Sequence, residues 1–459
     1  LNNSSIHIRW DQFALIINLV VVFWTTINLE LWRTDNKIIN NDVIAYYAYL
    51  PATFIYQDLS LNYYDDLTPE LKNKLFYELL DNEGRLIKTT MGVSIFYFPF
   101  FIFAHQYARL NQVYEANGYS LPYRLAIQLN AILFFFLGLN YLRKYLLWFF
   151  SSGVVFWTLL AVGIGTNLFN YTVVEPGMSH VYTFFICSAL LFYFNSWLKQ
   201  GKSFALYKFG FLFALLVLVR PINGLLLIFF ILYALFFFPS LKAARSWLLK
   251  QLKPIGIATC IALLTVFPQL IYWKFISGDW FFYSYTDNEH FFFNDPKILE
   301  GLFSYRKGWL LYTPIMTLAI IGFLMPYPQK LKQKLPVLII LLLFIYVLFS
   351  WWAWWYGGSF GIRAMIGIYP ILAISMAVFF KWVNKRHFIF KAGIYFLTLG
   401  LIYLNQFQHY QYRELLIHYD SMNKKTYWGV FLKHKFPENF WEDLDTPDYD
   451  AAKKGERDL

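Results

Sequence analysis

Asp42 stands about ten residues beyond the first long apolar run, near the head of NDVIAYYAYLPATFIYQDLS. A carboxylate at a membrane–water boundary can serve as general base toward an acceptor hydroxyl or amine, provided it is in reach and ionised at neutral pH. Tyr46, Tyr47 and Tyr49 follow in the same run, and Tyr46 is a candidate lining residue for an acceptor or sugar pocket. The competing reading is that Asp42 only caps an interfacial helix. Farther on, GTNLFNYTVVEPGMSHVYTFF carries Glu175, Pro176, Ser179 and His180 at the mouth of an apolar span. An ionisable group beside hydrocarbon is costly and usually functional, although Glu175 could instead cap the span that starts near His180. Glu175 and His180 lack the third ligand a metal site needs, so no metal is expected.

Cations complete the set. Lys88, Arg220, Arg306, Lys307 and Arg363 lie on the same side as these carboxylates. A guanidinium can grip a phosphate through two parallel hydrogen bonds, whereas a lone interfacial Arg or Lys can also simply snorkel toward water. In WWAWWYGGSFGIRAMIGIYP the indoles of Trp351, Trp352, Trp354 and Trp355 precede Gly357, Gly358, Gly361 and Arg363. An aromatic belt is the default for such a run. A sugar–phosphate pocket competes, because glycine permits close backbone approach and flat rings stack on sugar faces.

The elements that must position these residues follow from charge. Sixteen basic residues fall in five short gaps between apolar segments, at 143–144, 199–208, 242–253, 330–334 and 381–391, and these gaps hold no acid. Short Lys/Arg loops stay cytoplasmic. Every Asp and Glu except Asp11 lies in the other gaps, in the C-terminal tail or, for Glu30, at the far end of the first span. The carboxylates available for chemistry therefore belong to the outer face. The 459 residues are 58% hydrophobic and 15% charged, more apolar surface than one soluble core of this size can hide. The net charge of +11 is accounted for by these cytoplasmic flanks, so no nucleic-acid partner is expected.

Many apolar runs approach the ~20 residues that cross a bilayer. The expected fold is an all-α polytopic membrane protein with about eleven spans, near 13–32, 124–142, 146–165, 180–198, 205–219, 222–240, 255–275, 309–327, 336–352, 364–384 and 388–405. The N-terminus is inside, a large outer loop covers 33–123, and residues 1–405 form one catalytic module. Segment 93–108 carries Pro99 and polar ends, and crossing there would invert every later basic gap, so it is read as a helix in the outer leaflet. The first apolar run is too long for a cleavable signal. Cys187 and Cys260 fall inside spans, so no disulfide framework is expected. Residues 406–459 form a short polar tail outside, with an end expected to be disordered. No internal repeat is visible.

Taken in order, the Asp of the first outer loop, Lys88 before the interfacial helix, GTNLFNYTVVEP with its acid–Pro pair, FSYRKGWLLYTPI and WWYGGSFGIR resemble the GT-C superfamily of integral-membrane glycosyltransferases. The resemblance is to the bacterial branch around protein O-mannosyltransferases and the lipid A aminoarabinose transferase, and it covers about residues 13–385. It implies an enzyme of the bacterial inner membrane that moves a sugar from a polyprenyl-phosphate carrier, usually with inversion, at a periplasmic site. The acceptor would be a glycan, lipid or protein, and no cofactor is required. By the same resemblance Asp42 is the base, Glu175 sits in the second periplasmic loop beside the active site, and Lys88 contacts the donor phosphate. From their residue type and place, Arg220 and Arg363 are expected to hold that phosphate with Lys88. Tyr46, His180, Arg306, Trp354 and Trp355 are candidates for the sugar or acceptor pocket. Ile87 and Thr89 stand where some relatives have Glu and Pro around the Lys, and Asp42 has no acidic neighbour, which leaves Asp65 and Asp66 as spare carboxylates. A lipid transporter or flippase would place charges at mid-membrane and show repeats. An O-antigen polymerase or ligase would carry its key loop late in the chain.

Overall fold

The computed structural model describes residues 9–81, 83–285, 289–328 and 331–457. It is a helical membrane protein with six helices long and apolar enough to cross a bilayer. They occupy Trp10–Arg33, Leu121–Leu146, His180–Gln200, Leu252–Ser277, Arg363–Val383 and Phe388–Arg413. Burial sorts them. The apolar windows of His180–Gln200 and Arg363–Val383 are 89% and 94% buried and form the centre of the bundle. Those of Leu252–Ser277 and Phe388–Arg413 are 17% buried, so their Leu, Ile and Phe side chains face lipid.

Shorter apolar helices fill the remaining places: Ser152–Gly163, Ser203–Val219 and Lys334–Phe349. The segment expected as a span at 309–327 is broken instead. It runs as Trp309–Tyr312, a 3₁₀ turn at Pro314–Met316 and Thr317–Gly322, because Pro314 cannot donate to the preceding turn. The segment expected at 222–240 opens with a 3₁₀ turn at Pro221–Leu225 that runs on into Leu226–Phe237. A bend of 112° then leads into the Leu241–Lys250 helix.

Contacts gather all five basic gaps at one end of the bundle. Arg143 pairs with Asp11 at 2.5 Å, which explains the one acid on this side. Lys199 lies over the rings of Trp148 and Phe149, and Lys381 over Phe150. Gln333 donates to the Tyr145 hydroxyl at 3.1 Å, and Trp197 to Gln251 at 3.1 Å.

The opposite end is built from folded loops. The loop after the first long helix has short helices at Asp42–Tyr47 and Tyr49–Phe54 and a hairpin pairing Tyr77–Leu79 with Arg85–Ile87. Its small core of Ala48, Ala52, Leu61, Leu86 and Ile87 rests on Tyr272 and Ile276 of the Leu252–Ser277 helix. Segment 93–108 belongs to a 20-residue helix, Gly92–Asn111. It lies antiparallel on the N-terminal half of Leu121–Leu146: Asn130 donates to the Phe96 carbonyl at 2.7 Å, and His105 Nδ1 meets the Tyr123 hydroxyl at 2.6 Å.

The tail departs from its expectation. Residues 406–457 are packed, and their end is not loose among the described residues. Asn423 and Thr426 form a reciprocal capping box at the head of Lys424–Val430. Gln411 donates to the carbonyls of Val430 and Lys433 at 2.6 and 2.9 Å. Arg457 is buried and donates to the Ser350 and Trp351 carbonyls at 3.3 and 3.0 Å. Composition misled here because these polar groups find partners inside the fold rather than in water.

Candidate active site

Asp42 is the first residue of its helix, reached through Asn41 with φ of +46°. Its side chain caps nothing. The carboxylate, 46% exposed, instead accepts from Arg363 Nη2 at 2.9 Å, joining residues 321 positions apart. Arg363 opens the 3₁₀ turn ahead of the buried Tyr369–Val383 helix, and its Nη1 approaches Met178 Sδ at 3.8 Å.

The Met178 loop is clamped from two sides. The Tyr97 hydroxyl donates to the Gly177 carbonyl, and a Cβ on Gly177 would overlap the Val43 side chain. Only glycine lets this loop lie so close on the Asp42 helix. Glu175, in the same loop, accepts from the Tyr412 hydroxyl at 3.2 Å and from Asn170 Nδ2 at 3.3 Å, so it too is no cap. Burial raises the Glu175 carboxyl above its ordinary value, opposed by the Arg363 charge and by these hydrogen bonds.

Arg220 enters from the end of Ser203–Val219, where extended backbone and Pro221 stop the helix. Its Nη1 donates to His180 Nδ1 at 3.2 Å. A guanidinium can only donate, so Nδ1 accepts and the ring proton sits on Nε2. That buried Nε2–H has no partner among the described residues. A buried donor left unpaired is costly, and a ligand oxygen would relieve it.

Tyr46 is half-buried one turn after Asp42. Burial raises its hydroxyl pKa, Asp42 adds to the rise, and Arg220 and Arg363 oppose it, which sets this phenol among all three charges. Tyr285 joins from the other side: burial raises its phenol, with Tyr46, Asp42 and Glu289 adding and Arg220 opposing. Tyr356, at φ of +60°, is likewise raised by burial and lowered by Arg220 and Arg363. Sequence alone does not mark Tyr285 or Tyr356: no motif surrounds Tyr285, and Tyr356 is one ring among the aromatics of WWAWWYGG.

Lys88 stands at the margin. It bonds Glu78 at 3.3 Å and Glu289 at 3.4 Å and lies 5.4 Å over the Tyr285 ring. Its loop is fixed by the Tyr49 hydroxyl on the Thr89 carbonyl at 2.6 Å and by the Ile87 amide on the Tyr272 hydroxyl at 2.8 Å.

Three candidates do other work. Arg306 is buried and donates to the carbonyls of Asp420 and Asp445 at 2.6 and 2.8 Å and to the Asp445 carboxylate at 2.9 Å. The indoles of Trp354 and Trp355 are buried under the tail, donating to the Arg457 carbonyl at 3.3 Å and the Tyr449 hydroxyl at 3.4 Å. These side chains are committed to tail contacts instead of lining a sugar pocket. Asp65 binds Arg85 at 2.7 Å within the first outer loop, and Asp66 is exposed nearby. Among the described residues no group of three or more His, Cys, Asp or Glu could hold a metal ion.

No known protein family matches the chain, and no curated protein matches its sequence.

Proposed function

We propose that the chain is a membrane glycosyltransferase that moves a sugar from a polyprenyl-phosphate carrier to an acceptor hydroxyl or amine, with inversion. The observation that carries the proposal is a half-exposed carboxylate held at 2.9 Å from one guanidinium, with a second beside it, at the end opposite the basic gaps. In this reading the donor phosphate takes hydrogen bonds from Arg363 and Arg220 and from the unpaired His180 Nε2–H. Arg363 turning to the phosphate releases Asp42, whose carboxylate then accepts the acceptor's proton. The acceptor atom bonds C1 of the sugar on the face opposite the phosphate, the C1–O bond breaks, and the polyprenyl phosphate leaves with the bonding pair. Two guanidiniums offset its growing charge, and the tyrosines around them limit water. Lys88, over the Tyr285 ring, adds longer-range attraction.

The same reading counts eleven crossings: the six long helices, Ser152–Gly163, Ser203–Val219, Leu226–Phe237, Lys334–Phe349 and the broken 309–322 segment. The positive-inside rule then sets the N-terminus in the cytoplasm and the site in the periplasm of a bacterial inner membrane. The test is transfer of label from a panel of radiolabelled polyprenyl-phosphate sugars to a membrane extract, using full-length protein in liposomes. Transfer by wild type, lost in Asp42→Asn while donor binding persists, supports the reading. Binding and translocation of donor without transfer would replace it with a lipid-sugar flippase.

A further inference from the structure

At the end of the bundle remote from Asp42, a cleft of about 430 Å³ opens beside the C-terminal half of the His180–Gln200 helix. Its walls are aromatic, from Trp148, Phe192, Tyr193 and Phe204, and Lys202 lines it together with Ser196 and Gln200. One ammonium, that of Lys202, lines the cleft, and two more, Lys199 and Lys208, lie over rings of its wall. Lys202 is exposed in the cleft lining. Lys208 lies 5.1 Å over the Tyr193 ring and 4.6 Å over the Phe204 ring. Lys199 lies 4.9 Å over Trp148. Among the described residues no carboxylate forms an ion pair with Lys202 or Lys208, and segment 143–208 carries its one acid, Glu175, at the other end.

The surrounding structure sets the depth of this cleft in the membrane. The Leu241–Lys250 helix turns 112° away from Pro221–Phe237. It exposes Lys242, Arg245 and Lys250 along with Leu241 and Leu249, and its Trp247 packs on Trp197 at 4.6 Å. A short basic amphipathic helix laid across a bundle end rests at the head-group layer. Trp197 is three residues from Gln200 in the cleft wall, so the cleft opens near that same layer.

We infer that this cleft is a binding site for an anionic phospholipid of the adjoining leaflet. The lipid phosphate is received by Lys202 and Lys208, with Ser196 and Gln200 in reach of the glycerol and head-group oxygens. The acyl chains run along Phe192 and the 67%-exposed Phe204. Basic recesses between membrane helices favour such head groups electrostatically, and the aromatic walls supply an apolar lining a free phosphate could not use. The site is independent of the transfer reaction and lies at the other membrane face.

Native mass spectrometry of the full chain in detergent, titrated with phosphatidylglycerol or phosphatidylcholine of matched chains, tests this. Phosphatidylglycerol adducts should persist at concentrations at least about tenfold lower than phosphatidylcholine adducts, roughly the effect of 1.4 kcal/mol. K202Q/K208Q should remove that preference, while the charge-preserving K202R/K208R should keep it and show that the fold tolerates change here. R245Q/K250Q, which removes equal charge from the neighbouring helix, should also keep it. Equal binding of the two lipids overturns the inference, as does a loss in R245Q/K250Q equal to that in K202Q/K208Q. Displacement of the lipid by millimolar inorganic phosphate would overturn the lipid as occupant.

Discussion

Arg363 and Arg306 both sit in aromatic segments at the end of the bundle opposite the basic gaps, and they end in opposite surroundings. Arg363 faces a half-exposed carboxylate, a thioether and two tyrosines, with Arg220 close by. Arg306 is enclosed and spends its donors on two backbone carbonyls and one carboxylate of the tail. A guanidinium on carbonyls has no better partner to exchange them for, since leaving a buried carbonyl unpaired costs free energy. A guanidinium on a solvent-facing carboxylate can trade it for a phosphate. The lesson is that a cation at this end of the bundle is sorted by what it would abandon, not by the sequence around it.

The largest expected effect is on the proposed sugar transfer. Asp42→Asn keeps a hydrogen-bond acceptor for Arg363 but cannot take a proton, so the turnover of a reconstituted enzyme should fall by about 10²–10⁴-fold. Its melting temperature should stay near that of wild type. A stable Asp42→Asn enzyme with undiminished turnover would break the contrast between the two arginines. Next comes Arg306→Met, for which a loss of about 3 kcal/mol is expected from stranded carbonyls and an unpaired Asp445. A lowered melting temperature, with donor affinity retained in the fraction still folded, is the signature.

A pH titration sharpens the tail side of the comparison. Lys307 donates to the Ser359 and Tyr419 carbonyls, and burial lowers its pKa to about 7, with Asp420 opposing. The unfolded chain holds that proton to about pH 10. Between pH 7 and that value the unfolded state binds more protons, so stability rises with pH by at most about 1.4 kcal/mol per unit. Chemical unfolding at pH 7 and pH 9 should reveal the rise, and Lys307→Met should flatten it. The smallest effect belongs to Lys88→Gln. Because two glutamates already offset this cation, KM for the donor should rise by only a few-fold, with turnover nearly unchanged, in a donor titration.

Asp42, Tyr46, His180, Arg220 and Arg363 could be picked out because each is a polar residue where an apolar run ends, a signal that needs no tertiary knowledge. The structure brings these five together, with Glu175 beside Arg363. The fates of Trp354, Trp355 and Arg306 were not legible. They depend on tail residues 94 to 139 positions away, and the tail's composition gave no sign of packing. Hydropathy located the apolar segments, and the break at Arg220–Pro221, but not the one at Pro314, where the apolar run continues on both sides of Thr313–Pro314. The hairpin at Tyr77–Leu79 and Arg85–Ile87 was missed because three-residue strands are too short to show alternation.

The Asp11–Arg143 pair has a consequence for biogenesis. These side chains are 132 residues apart, and at about 5–20 residues per second the ribosome makes the carboxylate on the order of ten seconds before its guanidinium. Through that interval the first helix carries an unmatched charge at the end where the basic gaps gather, which disfavours its settling alone in hydrocarbon. Arrival of the Leu121–Leu146 helix discharges that constraint, so the order of synthesis and the order of assembly are tied together by one ion pair.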